Sequence, residues 1–140
     1  MKKFSTVILV DDDKIINYIN EKTIKLTGFA ENIIAFDNAT ETISFMQENC
    51  HKLCSTPTPV VVFLDLNMPV IDGWEFLESV KKFPNYSTTA CKIYILSSSI
   101  DPMDFEKAKE YEIVQDFISK PLTKEYLQEL LQKSFVEDSV

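Results

Sequence analysis

The chain of 140 residues is long enough for one globular domain with a substantial core, and its 45% hydrophobic and 26% charged residues are typical of such a domain. The net charge is -8 and all 14 basic residues are lysines, so the chain lacks the basic face and the arginines of a typical nucleic-acid-binding protein. No apolar run approaches the ~20 residues of a membrane span and the first residues do not resemble a signal peptide, so the cytoplasm is the expected compartment.

The glycine, cysteine and histidine content argues against several kinds of site. The chain has two glycines and therefore no glycine-rich loop that could cradle a nucleotide. Three cysteines lack the spacing of a disulfide framework, and we interpret them as reduced thiols: Cys50, Cys54 and Cys91. The segment Cys50–Cys54 contains the single histidine, His51, but its spacing is not a standard zinc pattern and a fourth ligand is not evident.

Five runs rich in apolar and β-branched residues are predicted to be strands. They span residues 7–10, 33–36, 60–64, 93–96 and 114–119. The run Val60–Leu64 shows no alternation, as expected of a strand that is covered on both faces in a parallel sheet. Helical patterns separate the runs, which favours a parallel sheet with helices on both faces and right-handed crossovers.

The first two helices are predicted from apolar residues at helical spacing. The inner face of the first helix is predicted to consist of Ile16, Ile19, Thr23 and Leu26, and Gly28 is placed to end that helix. The second helix begins at Asn38 or Thr40 as a cap. Its inner face is predicted to consist of Ala39, Ile43, Met46 and Cys50, and a polar loop is predicted over residues 50–59.

Three further helices follow the central strand. The third is predicted to turn Phe76, Leu77, Val80 and Phe83 inward and to end before Pro84. In the fourth, Asp101 and Pro102 start a weakly amphipathic helix that extends to about Tyr111, with Phe105 and Ala108 inward. This helix is expected to be the least firmly held. The fifth is capped by Thr123 and turns three leucines inward: Leu127, Leu130 and Leu131.

Four of the five predicted strands lead into residues that can carry chemistry. They are Asp11, Asp12 and Asp13 after the first strand, Asp65 after the third, Ser97 to Ser99 after the fourth, and Lys120 and Pro121 after the fifth. The carboxyl ends of parallel strands meet at one edge of a sheet, where open α/β folds bind ligands. Asp13 is interpreted as a helix cap. Close packing of the other three carboxylates disfavours their joint ionisation, and a hard divalent cation removes this conflict.

These residues resemble those of response regulator receiver domains, the phosphoacceptor modules of two-component signalling. The resemblance rests on an ordered set of motifs: Asp11-Asp12, Asp65 in Leu-Asp-Leu-Asn-Met-Pro, Asp72-Gly73, Ser97, Phe117 and Lys120-Pro121. It implies a flavodoxin-like, doubly wound (βα)5 fold whose five-stranded parallel sheet has the order 2-1-3-4-5. It covers essentially residues 1–140 as a single receiver domain, and an output domain is not expected.

The resemblance also implies a role for each site residue. Asp65 is the phosphoacceptor, and Mg2+, for which Mn2+ can substitute, is held by Asp12, Asp65 and the backbone carbonyl of Asn67, with Asp11 acting through water. Three further roles are implied: Ser97 and Lys120 bind the phosphoryl group, Phe117 is the aromatic switch, and the peptide bond before Pro121 is cis.

The implied donor is a phosphohistidine on a histidine kinase or histidine phosphotransfer protein. The implied output is a protein contact made by the fourth helix, fifth strand and fifth helix of the predicted order. The chain is expected to be a stoichiometric phosphoacceptor rather than an enzyme, to bind neither nucleic acid nor membrane, and to be a monomer, with dimerisation on phosphorylation left open. The loops at residues 50–59 and 82–91 are longer than in the shortest receivers and are interpreted as surface insertions without function, with contact to a partner as the alternative.

Three alternatives remain open at this point. A phosphorylation-independent adaptor would use the fold alone. A magnesium-dependent aspartyl-phosphate phosphohydrolase shares the sheet and the nucleophile, but such enzymes usually carry an acid two residues after it, where this chain has Asn67. A flavin or nucleotide binder of the same topology is disfavoured by the scarcity of glycine and by the acidic cluster.

Overall fold

The computed structural model describes residues 3–98 and 101–135, which include five strands and six helices. The strands are β1 (Phe4–Val10), β2 (Ala30–Phe36), β3 (Val60–Asp65), β4 (Cys91–Ser97) and β5 (Val114–Ser119). The helices are α1 (Lys14–Thr27), α2 (Ala39–Glu48), α3 (Cys50–Cys54), α4 (Gly73–Lys81), α5 (Pro102–Ala108) and α6 (Lys124–Phe135). Ser99 and both ends of the predicted 1–140 domain lie outside the described residues.

All five strands are parallel and form one sheet with the order β2-β1-β3-β4-β5, which confirms the predicted fold class. The register pairs Val10 with Leu64 and Asp65 with Leu96. The carboxyl ends of β1, β3 and β4 therefore meet at one edge of the sheet, and β5 joins them through the pairing of Ser97 with Ser119.

The sheet separates two hydrophobic cores, because successive side chains of a strand point to opposite faces. In β3, Val60, Val62 and Leu64 pack in the core beneath α2 to α5, while Val61 and Phe63 pack in the core beneath α1 and α6. These five side chains are at most 1% exposed. Burial on both faces explains why this strand has no polar alternation.

The inward face of α1 differs from the predicted one. Asn17, Asn20 and Ile24 are buried, whereas Ile19 is 40% exposed and Leu26 is 75% exposed. The two asparagines face inward because their side chains bond to backbone groups at strand ends and in the loop after β5. A reading based on apolar spacing could not anticipate buried amides, so the prediction for this helix was wrong.

Two further boundaries differ from the prediction. The segment predicted as a polar loop over residues 50–59 begins with the short helix α3, whose Leu53 is 5% exposed and joins the core. The predicted fourth helix, here α5, ends at Ala108 rather than near Tyr111, and its Phe105 is 40% exposed. The predicted fourth and fifth helices are thus α5 and α6.

The predicted helix caps are present. Asn38 accepts a hydrogen bond from the Glu41 N–H, Asp101 from Met103, and Thr123 from Tyr126. Gly28 ends α1 in the left-handed conformation with φ 66°. None of the helices in the described part of the chain is both long and apolar enough to cross a bilayer.

Candidate functional site

Three carboxylates cluster at the carboxyl edge of the sheet. One oxygen each from Asp11, Asp12 and Asp65 lies within 4.8 Å of the others. Asp11 and Asp65 are each only 4% exposed, whereas Asp12 is open to solvent. The sequence predicted this grouping, and the register of β1 and β3 produces it.

Local hydrogen bonds fix the positions of Asp11, which belongs to the cluster, and of Asp13, which does not. The backbone N–H of Asp13 donates to Asp11 Oδ1 at 2.9 Å, and the Asp13 side chain caps α1 by accepting from the N–H groups of Ile15 and Ile16. The predicted capping role of Asp13 is therefore observed. This capping role engages the Asp13 carboxylate at the start of α1, so Asp13 is not part of the cluster.

Gly73 allows α4 to begin directly beside the end of β3. A Cβ placed on Gly73 would lie 2.7 Å from Leu66 Cα and 2.8 Å from the Asp65 carbonyl oxygen. Both atoms belong to the backbone, so they could move away from a Cβ only at a substantial cost in stability. Asp72 caps the same helix through a reciprocal capping box with Glu75. The loop that follows Asp65 is thus clamped between the end of β3 and the start of α4.

Lys120 reaches into the cluster from the end of β5. Its Nζ lies 2.8 Å from Asp11 Oδ2 and 3.2 Å from Asp65 Oδ1, and its side chain is 12% exposed. The Lys120 N–H donates to the Ser97 carbonyl oxygen, and the Lys120-Pro121 peptide bond is cis, as predicted. One ammonium thus bridges two carboxylates.

The electrostatics of the cluster are unbalanced. Burial, with a further contribution from the charge of Asp11, raises the pKa of Asp65 to about 6, and the opposing attraction of Lys120 does not cancel this effect. Burial disfavours the charge of Lys120, but hydrogen bonds and attraction from Asp11 and Asp65 outweigh it and raise the pKa of this lysine. The carboxylates therefore carry more negative charge than the single ammonium neutralises.

The loop after Asp65 contributes a backbone donor and a strained residue. The Asn67 N–H lies 3.4 Å from Asp65 Oδ1. Val70 has φ 69°, a left-handed conformation that is unfavourable for a β-branched residue, and its side chain is 93% exposed. Packing of the valine side chain cannot offset the strain, because so little of it is buried.

The two remaining predicted residues lie on β4 and β5. Ser97 is the last residue of β4 and is 3% exposed. Phe117 is 6% exposed and lies inward, with its ring centroid 6.0 Å from that of Phe105 on α5. Contact between these rings connects β5 to α5.

Sequence reasoning missed two asparagines that support the site. Asn17 donates from Nδ2 to the carbonyl oxygens of Asp11 and Phe36, both at 3.0 Å. Asn20 Oδ1 accepts from the Leu122 N–H at 3.0 Å and so holds the segment that follows Lys120. They share one helix face with Ile24, but two polar residues on that face give no apolar periodicity, so the sequence pattern did not reveal them.

The donor atoms of the cluster suit a hard divalent cation. The cluster offers carboxylate oxygens only, the ligands that Mg2+ and Mn2+ prefer. A cation would also offset the burial and the repulsion from Asp11 that together raise the pKa of Asp65. The residues present therefore fit a magnesium site at this position.

Comparison with known proteins identifies the family. The family model for the response regulator receiver domain matches residues 7–132. Response regulator Rcp1 of Synechocystis sp. is 27% identical over 79 residues, which cover 56% of this chain and about half (53%) of that relative's length.

Solved structures extend the likeness over nearly the whole chain. A two-component response regulator from Cytophaga hutchinsonii is 32% identical with a TM-score of 0.84, covering 96% of this chain and 99% of the other. A response regulator receiver protein from Dyadobacter fermentans is 28% identical with a TM-score of 0.76, covering 94% and 98%. The chain belongs to the response regulator receiver domain family.

Proposed function

We propose that Asp65 accepts a phosphoryl group from a phosphohistidine on a histidine kinase or histidine phosphotransfer protein. The observation that carries this proposal is the cluster in which Asp65 lies beside Asp11 and Asp12, with Lys120 Nζ 3.2 Å from its oxygen. Membership of the receiver family supports the same role. The relay of a signal from phosphodonor to target then depends on the state of one carboxylate.

In the proposed step, a carboxylate oxygen of Asp65 attacks the phosphorus atom. The bond between phosphorus and the imidazole nitrogen of the donor breaks, and the nitrogen keeps the electron pair. A general base is not required, because the attacking oxygen is already ionised. Phosphoryl transfer depends mainly on alignment and charge neutralisation, and the clamped loop and Lys120 provide groups for both.

Mg2+ is the proposed cofactor, and Mn2+ is expected to substitute for it. Asp12, Asp65 and the backbone carbonyl of Asn67 would hold the ion, with Asp11 acting through water. When bound, the ion neutralises charge on the carboxylates and on the phosphoryl oxygens. Receiver domains typically bind Mg2+ at an acidic pocket, and the cluster in this chain offers such a pocket.

Lys120 and Ser97 are proposed to bind the transferred group. Lys120 would exchange part of its pairing with Asp11 and Asp65 for a phosphoryl oxygen, and the Ser97 hydroxyl would donate to another. Phe117 is proposed to act as the aromatic switch, although it already lies inward in this structure. Its contact with Phe105 supports a route from the site to α5.

The proposed output surface comprises α5, β5 and α6, the fourth helix, fifth strand and fifth helix of the predicted order. On α5, Met103 is 79% exposed and Phe105 is 40% exposed, and exposed apolar side chains of this kind support contact with a downstream protein. We propose that the chain acts as a stoichiometric phosphoacceptor, and that it is a monomer before phosphorylation.

The test is incubation of the purified chain with acetyl phosphate and Mg2+, followed by measurement of intact mass. We expect one phosphoryl adduct on the wild type and none on Asp65→Asn. Asp13→Asn is the matched control, because it removes a neighbouring carboxylate that caps a helix, and asparagine caps equally well. This control is expected to form the adduct.

A second arm uses a phosphorylated histidine phosphotransfer protein as the donor. Failure of the wild type to form an adduct with either donor would contradict the proposal and favour the phosphorylation-independent adaptor. An adduct that persists in Asp65→Asn would assign the acceptor to another residue. Sustained hydrolysis of a chromogenic phosphomonoester with Mg2+ would favour the phosphohydrolase.

A further inference from the structure

Two cysteines lie side by side where the segments that precede β3 and β4 meet. Cys50 and Cys54 are the first and last residues of α3, four positions apart, so their side chains lie on one face of that helix. Asn85, from the segment between α4 and β4, contacts both sulfurs. None of the roles proposed above for phosphoryl transfer uses this pair of thiols.

Asn85 contacts the two sulfurs through different groups. Its backbone carbonyl oxygen accepts a hydrogen bond from Cys54 Sγ at 3.1 Å, whereas its side-chain Nδ2 donates to Cys50 Sγ at 3.4 Å. The bond from Nδ2 favours the thiolate form of Cys50, because a hydrogen bond to the charged form of a group stabilises that form. The helix and the contacts with Asn85 thus hold both sulfurs beside one residue.

Both thiols of the pair are reduced and can be reached from solvent. Cys50 and Cys54 are each half-buried, whereas Cys91, the remaining cysteine, is 0% exposed. Burial, with a further contribution from the charge of Cys50, raises the pKa of Cys54. The two thiolates therefore disfavour each other, and a cation bound between them would offset this repulsion.

The ligand atoms of the pair favour a soft metal ion that needs few ligands. Thiolates select soft ions such as Cu+ rather than Mg2+ or Ca2+. A structural Zn2+ site needs four ligands, and the acidic cluster at Asp65 is the only group of three or more such ligands within the described residues. His51 therefore does not converge with the two cysteines. Cu+ has a filled d shell and is commonly bound by two thiolates alone.

The spacing of the two cysteines suits a bridging ion better than a disulfide. Cβ atoms four positions apart in a helix are separated by about 5–6 Å, whereas a disulfide needs about 3.5–4.5 Å. A direct bond between the sulfurs would therefore distort α3, the helix that places Leu53 in the core at 5% exposed. An ion between the sulfurs spans the larger distance and leaves the helix intact.

We propose that Cys50 and Cys54 bind one Cu+ ion between their sulfurs, and that Asn85 orients the pair. The ion replaces the two thiol protons, which pass to solvent. The Cys54 sulfur then no longer donates to the Asn85 carbonyl oxygen, but this contact is exposed, so water can replace the lost donor. The Asn85 side chain keeps its bond to the Cys50 sulfur.

The test is an anaerobic titration of the reduced full chain with Cu+ in competition with bathocuproine disulfonate, a chromogenic chelator of this ion. We expect the chain to take one ion from the chelator. The X-ray absorption spectrum of the complex is expected to show two sulfur neighbours of copper.

Variants locate the site. Asn85→Ala is expected to weaken Cu+ binding by about tenfold, the lower end of the effect of losing a group that orients a metal ligand. Cys50→Ser and Cys54→Ser each remove a ligand itself and are expected to weaken binding by more than about 100-fold, beyond the upper end of that range.

Cys91→Ala is the matched control, because it removes the third thiol, which lies in the core and out of reach of the ion. It is expected to bind Cu+ as the wild type does. Cys91→Ser provides the same control if the cavity left by alanine destabilises the fold, and circular dichroism confirms that each variant is folded.

Three outcomes would overturn the proposed pair of ligands. They are undiminished binding by Cys50→Ser or Cys54→Ser, loss of binding in a folded Cys91 variant, and failure of the wild type to take Cu+ from the chelator. Unchanged binding by Asn85→Ala would overturn the orienting role of that residue. The titration needs neither Mg2+ nor a phosphodonor, so its result does not depend on whether Asp65 is phosphorylated.

Discussion

The apolar residues of β3 and the carboxyl group at its end differ in how well they suit a buried position. Val60–Leu64 are at most 1% exposed, apolar, and packed between two cores. Asp65, the next residue, is almost as buried at 4% exposed, yet it carries a carboxyl group beside two other acids. One strand therefore supplies both a fully buried apolar segment and a buried carboxyl group whose pKa is raised.

Polar groups at the opposite, amino edge of the sheet show that burial alone does not cause this imbalance. Tyr86 is 5% exposed, and its hydroxyl donates to the Met46 carbonyl oxygen at 2.6 Å. The buried acids of the carboxyl edge instead face each other and share one lysine. Unsatisfied charge is thus concentrated where a ligand can relieve it, as expected of a functional site.

The largest expected effect on stability lies in the core that packs against the apolar residues of β3. Phe76 on α4 is 0% exposed, and Phe76→Ala should lower the free energy of unfolding by about 3–5 kcal/mol, because it removes apolar contacts and leaves a cavity. Urea denaturation measures the change. The exposed Phe105→Ala is the comparison and should cost far less. A similar cost for both would contradict the assigned core.

The next effect concerns Gly73, where α4 begins beside the carboxyl end of β3. Gly73→Ala should destabilise the fold by about 2 kcal/mol, because the new Cβ meets the backbone of Leu66 and Asp65. It should also weaken Mg2+ binding, because relief of the clash moves Asp65.

Gly28→Ala separates steric from conformational cost. Its φ is +66° with nothing within 4 Å of the added Cβ, so we expect a loss of about 1 kcal/mol and unchanged Mg2+ binding. Denaturation and calorimetric titration measure the two quantities. Equal effects of both glycine variants on Mg2+ binding would show that the clamp does not position the site.

A smaller effect, a gain in stability rather than a loss, is expected on substitution of Asp65 at the carboxyl end of β3. The pKa of Asp65 is about 6 in the folded protein against 3.8 as the ordinary value, so the folded state binds the proton more tightly. The ionised group therefore costs stability above about pH 6, and this cost disappears as pH falls through 6 toward 4. Without Mg2+, Asp65→Asn should raise the free energy of unfolding by about 1 kcal/mol at pH 7, after allowance for lost pairing with Lys120.

The gain from Asp65→Asn should vanish at pH 4, where the wild-type carboxyl is protonated. Denaturation curves at the two pH values, with a chelator present, provide the measurement. Asp13→Asn, at the exposed cap, should change stability by less than about 0.5 kcal/mol. If the wild type were more stable than Asp65→Asn at pH 7 without metal, the attraction of Lys120 would outweigh the cost of burying the ionised Asp65.

The smallest effect is expected in the loop after Asp65. Val70→Asn should stabilise the chain by about 0.5–1 kcal/mol, because asparagine tolerates φ 69° better than a β-branched residue and little packing is lost. Val70→Ala removes the branch but keeps a Cβ, so its gain should be smaller. Thermal unfolding distinguishes the two, and a loss of stability in Val70→Asn would mean that the valine side chain has a contact worth more than the strain.

Much of this organisation was readable from the sequence. The unbroken apolar run of β3 indicated burial on both faces, and the alternation of strands and helices indicated a parallel sheet. The carboxyl ends of parallel strands must share an edge, so Asp11, Asp65 and Lys120 could be expected there together. The cap at Asp101 followed from local chemistry alone, and the structure chose Asn38 over Thr40 as the cap of α2.

Other features depended on contacts between distant segments. The inward face of α1 is set by Asn20, whose Oδ1 bonds to Leu122 across 102 positions of the chain, and periodicity cannot reveal such a bond. The start of α3 in a predicted loop follows from the docking of Leu53 on the core. Tertiary structure also buried the amide oxygen of Asn17 without a hydrogen-bond partner within the described residues, which no sequence pattern indicates.

By itself, the sequence determined the sheet, the edge where its chemistry collects and the residues that collect there, because strand burial and side-chain direction follow local rules. Only the tertiary structure decided that Lys120 bridges Asp11 and Asp65 and that the pKa of Asp65 rises to about 6. It also decided that Asn17 and Asn20 of α1 are buried whereas Ile19 and Leu26 are exposed. These outcomes depend on distance and burial, which are fixed only when segments far apart in the chain pack together.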